Sequence, residues 1–91
     1  MANSNYANVT ITTTATQILG ASTKRKGLMV VNASNSNLYV GMDSSVTTSN
    51  GLLISPQASI EFGGKNEGWT GAIFGIVASG TADIRYWQWG E

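Results

Sequence analysis

The chemistry open to this 91-residue chain is narrow: five acidic residues, five basic ones, no histidine and no cysteine. Without histidine, the commonest general base and the commonest metal ligand are both missing. Without cysteine there is no thiolate nucleophile, no zinc–thiolate site and no disulfide, as is natural in a protein made in a reducing cytosol. The carboxylates, Asp43, Glu61, Glu67, Asp83 and Glu91, are scattered over loops and one-sided strands. Two of them in one cleft would make a glycosidase-like pair. Carboxylates this sparse, with no histidine beside them, predict a protein that is not an enzyme. Asp43 stands among serines and lacks the alternating Asp/Asn spacing of a calcium loop, so no metal and no cofactor is expected.

Lys24-Arg25-Lys26 is the one concentration of charge. It reads as a solvated loop, and its functional use would be a salt-sensitive contact with an acidic protein surface. The net charge of zero argues against a phosphate-tracking nucleic-acid surface. No apolar run approaches the roughly 20 residues that span a bilayer, and MANSNYANVT lacks the basic-then-apolar order of a secretory signal. Neither nucleic acid nor membrane is expected as a partner.

The aromatic residues are the remaining candidates. Trp69, Trp87 and Trp89, with Tyr39 and Tyr86, are of the types that line a platform for a sugar ring, although core and interface use of aromatics is commoner in a small domain. From Thr81 the sequence alternates. Ala82, Ile84 and Tyr86 fall on one face, and Asp83, Arg85, Trp87 and Trp89 on the other. An outward face ending in two Trp residues suggests a partner surface. The alternative is that both Trp residues cap the core.

The elements that carry these residues are short strands. Gly, Ser, Thr and Asn supply 39 of the 91 residues, and runs of Val, Ile, Thr and aromatics between their clusters describe an all-β chain. Residues 1–7 read as a flexible arm with Tyr6 as its one anchor, and residues 8–91 as one domain. Asn8 to Leu19 reads as one long bent strand or two short ones, and Gly20 to Gly27 as a charged loop. Leu28–Met42 reads as a hairpin about the turn NASNSN. Asp43 to Asn50 is a polar loop, and Leu52 to Ile54 an edge strand stopped by Pro56. Ala58 to Phe62 is a further strand, and Trp69 to Glu91 two strands folded back on one another at Ser79-Gly80. Asn8-Val9-Thr10 and Asn32-Ala33-Ser34 match the glycosylation pattern but read as strand and turn chemistry. The expected fold is an antiparallel β-sandwich or jelly-roll-like barrel of seven or eight short strands. Its core would hold Val9, Ile11, Leu28, Val30, Leu38, Val40, Ile54, Ile60, Phe62, Phe74, Ile76, Ile84 and Tyr86.

The segments RKGLMVVNAS (Arg25 to Ser34), YVG (Tyr39 to Gly41), TSNGLLISP (Thr48 to Pro56) and the stretch from Trp69 to Arg85 ending ASGTADIR resemble small all-β structural proteins of tailed bacteriophages and prophages. The resemblance runs from Val9 nearly to the end. It implies a virion protein made in the host cytoplasm, either a capsid decoration or cement protein or a part of a head or tail fibre. With no fibre repeat and no enzymatic domain in the sequence, decoration of the outer capsid surface is the first expectation. The partners would be the major capsid protein and further copies of the chain, a trimer preferred over a dimer. A surface glycan is the partner in the adhesion alternative. Tyr6, Asp83, Arg85, Trp87 and Trp89 are the expected interface residues, and Lys24, Arg25 and Lys26 the electrostatic ones.

Overall fold

Eight strands and no helix make up the part of the chain that the computed structural model describes, residues 5–23, 25–62 and 70–90. They are β1 Asn5–Ile11, β2 Thr16–Leu19, β3 Arg25–Asn32, β4 Leu38–Gly41, β5 Leu52–Ile54, β6 Ser59–Phe62, β7 Ile73–Ile76 and β8 Ala82–Gly90. The pairings are nested: β1 with β8, β2 with β7, β3 with β6 and β4 with β5, all antiparallel. The chain is thus one long double ribbon whose tip is the β4–β5 connection. Rolling that ribbon adds the pairs β3–β8 and β4–β7 and yields two four-stranded sheets. The front sheet runs β1-β8-β3-β6 and the back sheet β2-β7-β4-β5. This is a jelly roll, a two-sheet sandwich of the expected class.

In that topology only the β4–β5 connection stays within a sheet. The two hairpins expected from the sequence therefore do not exist. β3 and β4 lie in opposite sheets, as do β7 and β8. Short polar turns signal a reversal of the chain, but whether the returning strand pairs with its predecessor or crosses to the other layer depends on partners far away in sequence. At NASNSN the crossing is built by Asn32, which is fully buried. Its Nδ2 donates to Ser36 O at 2.7 Å and Ile54 O at 2.9 Å, and its Oδ1 accepts from Ser34 N at 3.1 Å and Ser34 Oγ at 2.6 Å. The acceptor-pattern asparagine is turn chemistry, as read from the sequence. At the other crossing Gly80 supplies φ +69°, which a side chain would resist.

The core lies between the sheets. Ile11, Leu28, Val30 and Ile84 of the front sheet meet Leu38, Val40, Ile54 and Ile73 of the back, with Ile18, Leu19, Val77 and Ala82 completing it. Val9, Ile60 and Tyr86 pack against its margin. The side chain of Phe62 lies outside the described residues. On β7 the expected register is reversed: Ile73 and Gly75 face inward and Phe74 and Ile76 outward. Seven apolar or Gly residues in a row carry no alternation to fix a face, and slipping by one residue exchanges the two. In the observed register Gly75 faces inward, where an added Cβ would stand 2.9 Å from Ile18 Cδ1 and 3.1 Å from Leu38 Cδ1. A glycine there lets those two side chains pack undisturbed while Phe74 and Ile76 point away.

The expected arm is also corrected. Tyr6 and Ala7 belong to β1, paired with Trp87 and Tyr86 of β8; residues 1–4 lie outside the described residues. The stretch from Asn8 to Leu19 is two strands, one in each sheet. As expected from Pro56, β5 is an edge strand.

Candidate docking face

The register of the front sheet places its outward side chains in rows. Trp87 has Tyr6 on one side and Met29 on the other, with Glu61 beyond. Arg85 has Asn8 on one side and Val31 on the other, with Ser59 beyond. Asp83 has Thr10 beside it. Alternation along β8 thus delivers Asp83, Arg85, Trp87 and Trp89 to the outer face, while Ala82 and Ile84 are buried and Tyr86 packs at the core margin.

Tyr6 and Trp87 are 77% and 57% exposed. Their rings meet edge to face, with centroids 6.3 Å apart and planes at 67°, a favoured aromatic geometry. Between Tyr6, Asn8, Met29, Val31, Arg85 and Trp87 lies an open groove of about 650 Å³. Asp83 organises the polar side. One carboxylate oxygen accepts from Arg85 Nη2 at 3.1 Å and the other from Asn8 Nδ2 at 3.4 Å. The Arg85–Asp83 pair is exposed and so contributes little stability by itself; it holds a guanidinium and a carboxylate in place at the edge of an aromatic row.

Trp89 differs from Trp87. It is partly buried and covers Gly27, its cross-strand partner on β3. One Trp of the pair thus serves the sheet's own surface and the other stands out in water. Met29 and Val31 were not singled out in the sequence, and Asn8 only as part of a glycosylation-pattern match. Their signal is positional, since each sits beside Trp87 or Arg85 on a neighbouring strand, and that register emerges only once β8 is placed between β1 and β3.

Arg25 overturns the electrostatic reading of the basic triplet. It lies within β3 and is 4% exposed. Its Nε donates to Gln88 Oε1 at 2.9 Å, its Nη1 to Gly71 O at 2.9 Å and its Nη2 to Gly20 O. Burial pulls its pKa below the usual guanidinium value, yet arginine remains charged. A side chain tied to β8 and to two turns is not free to meet another protein. Lys26 is exposed and Lys24 lies outside the described residues.

The five-aromatic sugar platform is not assembled. Tyr39 is on the back sheet and Tyr86 turns toward the core, while Trp69 lies outside the described residues. Asp43 sits in the β4–β5 loop and accepts from Ser45 Oγ and Ser45 N. Glu67 and Glu91 lie outside the described residues, and among the described residues no three acidic side chains converge as a metal site would require. No protein family, curated protein or solved structure matches the chain.

Proposed function

We propose that this protein is a bacteriophage virion structural protein that decorates the outer surface of an assembled capsid as a homo-oligomer and docks there through the outer face of β1, β8 and β3. The observation that carries the reading is the exposure of Tyr6 and Trp87 side by side above a groove floored by Met29 and Val31. Aromatic anchors fully covered by a partner dominate binding energies, with rim charges setting orientation. About half of a Trp side chain still in water offers roughly 100 Å² to a partner, equivalent to about 2–3 kcal/mol before ordering costs. The resemblance of the sequence to phage structural proteins supplies the context, and jelly rolls recur among capsid domains. The mechanism is mechanical: each oligomer bridges neighbouring capsid subunits and resists their separation by the pressure of packaged DNA.

The second reading is a carbohydrate-binding adhesion module, favoured by the Asn8–Asp83–Arg85 network next to two exposed aromatics. Lectin domains use the same fold class, which by itself does not choose a function. Co-sedimentation of the purified protein with empty capsids, set beside its binding to a glycan array, separates the two. Capsid binding lost in Trp87→Ser with an unchanged circular dichroism spectrum supports docking. Glycan binding without capsid binding supports the module, and neither would overturn both.

A further inference from the structure

Among the described residues, the exposed large apolar side chains fall into two groups on opposite sheets. Tyr6 and Trp87 belong to the docking face. Leu52, Leu53 and Met42, which are 55%, 50% and 66% exposed, lie at the β4–β5 edge of the back sheet, which has an outer face of its own. Across that sheet the register aligns Leu53 with Tyr39 and Tyr39 with Ile76, and in the next rows Gly41 with Phe74 and Phe74 with Gln17. Phe74 and Ile76 are on this face, alternating with inward-facing Ile73 and Gly75.

We infer that the outer face of the back sheet is where a second copy of this chain docks, stacking Leu53, Tyr39, Ile76 and Phe74 of one copy against the same residues of the other. Three features point to a copy of the chain. First, none of β2, β4, β5 and β7 carries a charged residue. A twofold contact pairs residue i of one copy with residue j of the other and j with i, so an uncharged face can meet its own copy without burying a charge. The front sheet, with Arg85, Asp83 and Glu61 on its outer face, lacks this neutrality and suits a different partner. Second, a standard interface takes about 800 Å² per partner, roughly 15% of the 5317 Å² surface, which one broad face of a two-layer sandwich can supply. Third, a single patch that meets its own copy closes as a twofold pair, whereas a ring needs two different patches on each subunit; the patch is bounded on the β4–β5 side by Val46 and Gly51, which pack at Gly41 and Tyr39. The contact is therefore a dimer, in place of the trimer preferred from the sequence.

Back-to-back stacking turns the two docking faces in opposite directions. If the front face binds capsid, the dimer stands between two capsid subunits and grips one on each side. This extends the docking proposal without resting on it, and its test uses no capsid.

The test is the solution mass and one pair of distances. Sedimentation equilibrium of the purified protein should give twice the 9.6 kDa chain mass. Leu53→Asp should give a monomer with an unchanged circular dichroism spectrum, and Trp87→Ser should leave the dimer intact. Because the chain has no cysteine, Leu53→Cys and Trp87→Cys each accept a single spin label without altering surface charge. A shorter inter-label distance at position 53 than at position 87 is expected, and this readout stands even if Leu53→Asp does not fold. A monomeric or trimeric wild type would overturn the inference, as would labels close at position 87 and distant at position 53. An intact dimer that ignores capsids would count against the docking proposal alone.

Discussion

The indole of Trp89 occupies the space where a side chain on Gly27 would be. A Cβ at Gly27 would stand 2.3 Å from Trp89 Cζ2 and 2.5 Å from Cε2, and the two residues are cross-strand partners on β3 and β8. An aromatic ring laid across a strand glycine covers backbone that would otherwise lose packing. Gly27→Ala should therefore displace the ring and destabilise the fold by about 1–3 kcal/mol, the usual cost of overfilling a packed site. Urea unfolding followed by Trp fluorescence would show it as a lower midpoint at unchanged slope. A variant as stable as wild type would mean that the ring moves aside without cost.

Arg25 ties β3 to Gln88 and to the carbonyls of Gly20 and Gly71 with three different nitrogens. Lysine presents one point charge on a flexible stem and cannot reproduce a planar fork. Arg25→Lys should cost about 2–3 kcal/mol, the scale of losing a charge-assisted hydrogen bond and leaving a buried acceptor unmet. The measurement is denaturant unfolding. If the triplet were a solvated loop, the same change would be silent.

Asn32→Asp is a nearly isosteric change that removes both Nδ2–H donors and turns a charged oxygen toward Ser36 O or Ile54 O. The site is fully buried, and the loss should be about 3 kcal/mol or more. It should also shift amide resonances on both sides of the crossing, at Ser34 to Ser36 and at Ile54, because the side chain joins β3 and the following turn to the back sheet.

These three residues mark where the sequence was legible and where it was not. The seven or eight short strands, the inward Ala82–Ile84–Tyr86 side of β8 and the edge position of β5 follow from short apolar or alternating runs between turn residues and from one proline, which are local signals. The nesting of β1 with β8 and β2 with β7 is not local, and so both expected hairpins failed. Arg25 looked like surface because its acceptors lie 5, 46 and 63 residues away. The β7 register was unreadable because its run has no polar residue to mark the outside. Of the candidate site, Arg85 and Trp87 were legible from alternation alone, whereas Met29, Val31 and Asn8 required the sheet order.

Asp43 provides the pH prediction. Ser45 Oγ donates to its carboxylate, and Ser45 N donates at 3.0 Å. These two bonds, the hydroxyl's first, hold its pKa below the ordinary aspartate value against a smaller opposing effect of desolvation. A folded-state pKa below the unfolded one means that the turn's contribution is complete above the unfolded value, near pH 4, and is lost as pH falls through the folded value. A carbon-detected titration should place Asp43 below that value in the wild type. Ser45→Ala should return it upward, and an unmoved midpoint would assign the depression to another cause.

The last prediction separates Tyr6 as part of the fold from Tyr6 as part of the docking face. Deleting residues 2–7 removes the pairs Asn5–Gln88, Tyr6–Trp87 and Ala7–Tyr86 from the front sheet, exposes one edge of β8, and takes away the ring that meets Trp87 edge to face. A flexible arm would be lost with no change in melting temperature. A strand end cannot be, and a cost of about 1–2 kcal/mol corresponds to a fall of about 5–15 °C in a domain of this size. Tyr6→Ser keeps the backbone ladder and removes only an exposed ring, so its melting temperature should stay within a few degrees of wild type. If the face docks on a capsid, the point variant should still lose most of its binding, because the ring's use lies in being covered by a partner. A truncated protein that melts like the wild type would put residues 5–7 outside the fold, and a Tyr6→Ser variant that binds capsids undiminished would remove Tyr6 from the docking face.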